Sequence, residues 1–119
     1  MELKNKLAVV TGVSKGIGLE VVKLLLEKGS VVAGWGRKAP ELNHPNFHFF
    51  TCDVAVEESV QKAYQETVNK LGADIRILVN NAGFGVAKPF ETMSTEEWKS
   101  MFDTNVHGIF YVSKRLVPA

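Results

Sequence analysis

The sequence predicts an α/β fold: a doubly wound parallel sheet of strand order 3-2-1-4, with helices on both faces. Three observations carry that prediction. Short apolar runs rich in β-branched residues alternate with longer stretches of helical period, the pattern of parallel strands joined by right-handed crossovers. The first apolar run leads at once into TGVSKGIG, Thr11 to Gly18, which sets three glycines between a strand and a helix. The composition, 45% apolar and 23% charged over 119 residues, is that of an ordinary globular domain, and the length allows one domain at most.

Taken in order, Leu7-Ala8-Val9-Val10 reads as a strand buried on both faces, because it is apolar throughout rather than alternating. Ile17, Val21, Leu24 and Leu25 fall at helical spacing, and Gly29 stops that helix. Val31-Val32-Ala33 is a second strand, and Phe47 to Thr51 a third, less apolar and so nearer an edge. Val56, Val60, Ala63, Tyr64, Thr67 and Leu71 share one face of a second helix that Gly72 ends. Glu57 and Glu58 occupy its first turn, where negative charge complements the helix dipole. Ile75 to Val79 is the fourth strand. A helix begins near Ser94, with Glu97 at capping-box spacing. A last helix runs from about Asn105 toward Leu116, with Val106, Ile109 and Phe110 expected to face inward. Lys38 to Pro45 is the longest loop-like stretch, and no repeat or linker divides residues 1–119.

The bulk properties narrow the function classes. A formal net charge of +1 without a basic cluster gives no electrostatic case for nucleic acid or an anionic membrane. The longest apolar run is far short of a membrane span, and Met1-Glu2-Leu3-Lys4 begins no signal peptide. Cys52 is the lone cysteine, which excludes an internal disulfide and suits a reducing compartment. A soluble cytoplasmic protein is the expectation. His44 and His48 are separated by Pro45 and lead into a strand, so no helical face presents both to a metal.

The glycines point to a phosphate. Gly12 would turn the chain off the first strand, Gly16 would leave room for phosphates beside exposed N–H groups, and Gly18 would let the helix pack closely on the sheet. The spacing G-x-x-x-G-x-G is neither the G-x-G-x-x-G of the Rossmann fingerprint nor a P-loop. Lys15, just before a helix N-terminus, is unfavourable unless an anion offsets it, although a solvated loop lysine is the plainer reading. In dinucleotide folds an acid at the end of the second strand binds the bare ribose hydroxyl. Here the segment reads Gly34-Trp35-Gly36-Arg37-Lys38, with two bases and no carboxylate. An arginine fork at that position suits a 2′-phosphate, so NADP is favoured over NAD.

Four motifs in register resemble the short-chain dehydrogenase/reductase family: Thr11-Gly12-Val13-Ser14-Lys15-Gly16-Ile17-Gly18, Cys52-Asp53-Val54, Asn80-Asn81-Ala82-Gly83 and Asn105-Val106-His107-Gly108. The resemblance covers essentially the whole chain and implies a Rossmann-like fold. It implies that the glycine segment, including Ser14, Lys15 and Ile17, cradles the pyrophosphate. By the same resemblance Asp53 meets the adenine amine, with Val54 beside the ring. A helix cap is the alternative reading of Asp53. Asn81, Ala82 and Gly83 would let the backbone pass close to the ribose, Asn81 also tying neighbouring strands together; an ordinary turn is the alternative. Asn105 resembles the family's catalytic asparagine, which holds a water in a proton relay.

The family's chemistry is hydride transfer between a nicotinamide and a carbonyl or alcohol, using a serine, a tyrosine and a lysine beyond the fifth strand. The chain stops at Pro118-Ala119, before that strand is expected, so the sequence is read as the cofactor-binding half. Tyr111 has Arg115, not lysine, four positions on, and is read as a coincidence. Activity of the chain alone is therefore not expected. A dinucleotide-binding module without catalysis and an inactive associating fragment stand as alternatives. An apolar fourth strand at the cut edge and the apolar last helix lead to the expectation of a homo-oligomer.

Overall fold

Four parallel strands form the sheet: β1 (Leu7–Thr11), β2 (Val31–Gly36), β3 (Phe47–Thr51) and β4 (Ile75–Val79). Their order is β3-β2-β1-β4, as the alternation of the sequence predicts. The structure is a computed structural model and describes residues 2–82 and 92–117. All five residues of β1 are buried, because it has a strand on each side and helices above and below. β3, at one edge, buries fully only Phe50. β4, at the other edge of the described sheet, is half-buried at four positions and exposed at Arg76.

Helix α1 (Gly16–Glu27) covers one face; α2 (Glu57–Leu71) and α4 (Gly108–Leu116) cover the other. The two cores follow from the pleat, which sends successive side chains to opposite faces. Ala8, Val10 and Val32 meet Val22, Leu25 and Leu26 of α1. Val9, Ala33 and Trp35 meet Val60 and Ala63 of α2 and Val112 and Leu116 of α4. In β4 the register slips at Arg76, since Leu7 pairs with Ile75 but Ala8 pairs with Ile77. The slip puts Ile75 and Leu78 on the α2 side and Ile77 and Val79 on the α1 side.

Two expected helix faces are corrected. In α1 the buried positions are Gly18, Val22, Leu25 and Leu26, while Ile17 and Leu24 are 76% and 53% exposed. Glu20, Lys23 and Glu27 mark the solvent side of the helix, and Ile17 and Leu24 fall on that side. Gly18 fixes the opposite side, because it packs directly on the Gly12 carbonyl and its i+4 and i+7 neighbours follow it inward. In α4, Gly108 lies so close to Val54 that an added Cβ would stand 2.7 Å from its Cγ2. Gly108, Val112 and Leu116 therefore face inward. Val106, Ile109 and Phe110, expected inside, lie out in solvent. Val56, expected on the buried face of the second helix, is instead its exposed N-cap; Val60, Ala63 and Thr67 are buried as expected.

The helix from Ser94 forms as read, α3 (Thr95–Phe102), with both hydrogen bonds of the capping box made to Glu97 at 3.0 Å. The last helix does not start afresh at Asn105. A π-helical turn, Asp103–His107, joins α3 to α4 without a break. His107 and Asp103 are 3.0 Å apart across that turn.

Candidate functional site

The site is built where β1 ends. Gly12 takes φ +71, in the left-handed region that favours glycine. Its N–H donates to the Trp35 carbonyl at 2.9 Å, and its carbonyl accepts from Asn81 Nδ2 at 3.0 Å. The buried Thr11 hydroxyl accepts from the N–H groups of Asn81 and Ala82, both at 3.0 Å. The end of β4 is thus fastened to the end of β1 by three hydrogen bonds, the tie expected of Asn81. Gly18 completes the knot, since a Cβ there would overlap the Gly12 carbonyl oxygen and Asn81 Nδ2.

Gly16 is different in kind. It also has positive φ, +67, but nothing lies within 4 Å of where its Cβ would be. Its bare backbone fronts open space at the start of α1. Lys15 is the N-cap, with extended backbone and no side-chain cap, and the first turn holds no acid. The N–H groups there have no capping side chain, at the positive end of the helix.

These segments surround a cleft of about 520 Å³. The glycine turn supplies Gly12, Val13, Ser14, Lys15 and Gly16; the end of β2 supplies Trp35, Gly36, Arg37 and Lys38. Cys52, Asp53 and Val54 follow β3, Asn81 and Ala82 follow β4, and Thr104 comes from the π turn. The sequence-predicted residues Gly12, Ser14, Lys15, Gly16, Arg37, Asp53, Val54, Asn81 and Ala82 are therefore brought together. Gly18 lies beneath the turn rather than on the cleft wall. Ile17 is on the outer surface of α1 beside Glu20, Val21 and Leu24. Asn105 sits half-buried in the π turn, next to Thr104 but not on the cleft wall. Gly83 lies outside the described residues. A second hollow, about 620 Å³ along β3 and α2, is lined by Thr51, Lys62 and Lys70 among others, and has no glycine turn.

The cleft is electropositive. Lys15, Arg37 and Lys38 are exposed on it, and none has an ion-pair partner among the described residues. Among the described residues Asp53 is the acid that lines it. Asp53 does not cap α2; its Oδ1 accepts from the Ala55 N–H at 3.0 Å and its own N–H donates to Ser59 Oγ at 2.8 Å. Burial pushes the Cys52 thiol up to about 11, against the opposing hydrogen bond with Ser59 and with a smaller push from the Asp53 charge. Buried and held protonated, Cys52 is a weak nucleophile on the cleft wall.

Three contributors were not singled out from the sequence. Thr11 supplies the shared acceptor, Thr104 lines the cleft from the π turn, and Trp35 holds the Gly12 turn through its carbonyl. Of these, Thr11 alone had a local signal, a hydroxyl directly before the first glycine.

Comparison with known proteins agrees with this geometry. Residues 6–119 match the family described as short chain dehydrogenase. The chain is 33% identical to an uncharacterized oxidoreductase of Bacillus subtilis, over 99% of the chain and 47% of that protein. It is 35% identical to zerumbone synthase of Zingiber zerumbet, over 92% of the chain and 45% of that protein. The chain thus spans about half the length of the curated relatives it matches. Among solved structures, the ligand-free aldohexose dehydrogenase of Thermoplasma acidophilum superposes with a TM-score of 0.90 at 32% identity, covering 98% of this chain and 44% of that one. A Leptospira borgpetersenii short chain dehydrogenase with bound NAD+ gives 0.90 at 26% identity, covering 97% and 46%. A Thermococcus sibiricus alcohol dehydrogenase complexed with 5-hydroxy-NADP gives 0.87 at 30%, covering 96% and 52%. With a 3-2-1-4 parallel sheet, a glycine turn at the switch point and a family match over nearly its whole length, the chain belongs to the short-chain dehydrogenase family of oxidoreductases.

Proposed function

We propose that the cleft binds a dinucleotide, NADP(H) in preference to NAD(H), and that residues 1–119 are the cofactor-binding part of an oxidoreductase acting on a carbonyl or alcohol. The observation that carries the preference is the end of β2, where Arg37 and Lys38 line the cleft without an ion-pair partner among the described residues and no carboxylate stands beside them. The residues fit the group. Gly16 keeps open the space a side chain would fill, and the start of α1 offers N–H groups without a capping side chain, suited to a pyrophosphate.

In this reading Gly12, Ser14, Lys15, Gly16, Ile17 and Gly18 form the phosphate turn. Arg37 holds the 2′-phosphate by its planar fork. Asp53 and Val54 take the adenine; Asn81, Ala82 and Gly83 flank the ribose. The bound nicotinamide would carry the hydride. Asn105 would orient a water in the proton relay, a task compatible with its place in a π turn beside the cleft. Tyr111 is followed at i+4 by Arg115, so the Tyr-x-x-x-Lys pair of the chemistry is not made in these residues and the chain alone is proposed to be inactive. The apolar surface of Trp98, Phe102, Ile109 and Phe110, together with the β4 edge, supports a homo-oligomer.

Titration of the protein with NADPH and NADH tests the reading. NADPH should bind more tightly, and Arg37→Asp should cost NADPH about tenfold or more, the worth of one charge-assisted contact, while sparing NADH. Equal affinity of the wild-type protein for both would overturn the assignment of Arg37.

A further inference from the structure

We propose that Trp35, locked by Thr67, is a positioning residue that sets the end of β2 and so tunes the cleft for the phosphorylated cofactor. The proposal rests on the reading of Arg37 given above.

The indole of Trp35 is fully buried, as is Thr67 on α2. Trp35 Nε1 donates to Thr67 Oγ1 at 3.0 Å, and Thr67 Oγ1 donates to the Ala63 carbonyl at 2.7 Å. The Thr67 hydroxyl thus has its proton committed to α2 and its lone pair to the sheet. It is a two-way strap with one proton arrangement. Because the strap crosses the buried α2–sheet interface, losing it would leave a buried donor unsatisfied, so it resists small shifts.

What it holds is the middle of the site. Trp35 is paired in register with Thr11 on β1 and with Phe50 on β3. Thr11 carries the bonds to Asn81 and Ala82. The Trp35 carbonyl accepts from the Gly12 N–H, and the neighbouring Gly36 carbonyl accepts from the Cys52 N–H at 2.8 Å. Arg37 leaves this clamped dipeptide directly. The glycine turn and the Cys52–Val54 segment are each held by further bonds of their own, Asn81 to Gly12 and Asp53 to Ser59. For Arg37 no further bond is known among the described residues, so its base depends most on the lock. A fork that must meet two oxygens tolerates only a fraction of an ångström of displacement. NADPH and NADH share every group except the 2′-phosphate, so loosening this base should weaken NADPH more.

The test uses the full chain with Thr67→Val, which keeps the shape and removes the hydroxyl, and Thr67→Ser, which keeps the hydroxyl. The affinity ratio of NADPH to NADH should fall about three- to tenfold in Thr67→Val and return in Thr67→Ser, on the scale of one buried hydrogen bond. Lower thermal stability with an unchanged ratio would show a merely structural strap and overturn the proposal. Should Thr67→Val not fold, the wild-type protein answers instead, because coupling is reciprocal: NADPH should slow exchange of the Trp35 indole N–H more than NADH does at equal saturation. Equal protection by the two overturns the proposal. A wild-type protein without any NADPH preference overturns the Arg37 reading first and this proposal with it.

Discussion

Gly16 and Gly18 are two residues apart in one motif, yet the structure gives them opposite jobs, and alanine should separate them. In Gly18→Ala the new Cβ overlaps the Gly12 carbonyl oxygen and crowds Asn81 Nδ2. Neither Gly12 nor the glycine turn has a rotamer to yield, so α1 must move off the sheet or the Asn81–Gly12 bond must break. Overpacking of this kind costs about 1–3 kcal/mol and the lost bond about 1 kcal/mol. The better helix propensity of alanine returns about 1 kcal/mol. The net loss is about 1–3 kcal/mol, or a fall in Tm of roughly 4–12 °C for a chain of this size. In Gly16→Ala the Cβ meets nothing within 4 Å. The cost to the fold is the positive φ alone, about 1 kcal/mol, but the methyl group stands in the open cleft. Thermal unfolding by circular dichroism, paired with NADPH titration, reads both. Gly18→Ala should lose stability first, and Gly16→Ala should keep most of its Tm while losing NADPH affinity at least tenfold. A Gly16→Ala protein that binds NADPH normally would refute the phosphate cradle, and a Gly18→Ala protein with wild-type Tm would refute the close packing.

Further outcomes are expected for Cys52, for activity and for association. Cys52 should resist alkylation in the native protein, because a thiol raised to about 11 is about one part in a thousand thiolate at pH 8. As its pKa is raised by folding, it contributes stability that is fully present below the ordinary thiol pKa and lost as pH climbs toward about 11, so Cys52→Ala should flatten the alkaline limb of the unfolding curve. The 119-residue chain should not oxidise NADPH with any carbonyl compound; in a longer active protein containing it, Tyr111→Phe should leave turnover within a few-fold, and a loss of orders of magnitude with the fold intact would make Tyr111 the proton donor. Sedimentation of the chain at tens of micromolar should give an oligomer, and a well-behaved monomer would remove the exposed apolar helix surface and the β4 edge as an interface.

The sequence by itself determined the alternation of strands and helices and the identity of the glycine turn, and the alternation led to the strand order through the crossover rule. The elements depend on short-range chemistry: β-branched runs, helix-stopping glycines, and a capping serine three residues before Glu97 that forms both of its bonds. It also named nine residues that the fold gathers around one cleft, because in a parallel sheet every strand ends on the same side and the residues after each strand must meet there. The buried face of α2 is legible in the sequence, but tertiary structure decided which face of α4 is buried. That helix carries more apolar residues than one face can bury, so the choice fell to a close contact made far away in sequence, Gly108 on Val54. The union of α3 and α4 through the Asp103–His107 π turn was likewise settled by packing: Asp103, Thr104 and Asn105 are residue types that favour a helix cap, yet no side-chain cap forms at the start of the turn or of α4. The bond from the Trp35 indole to Thr67 joins residues far apart in the chain. No local pattern announces that pair, because each partner alone is only a buried indole or a buried hydroxyl until α2 packs on the sheet and brings them within 3.0 Å.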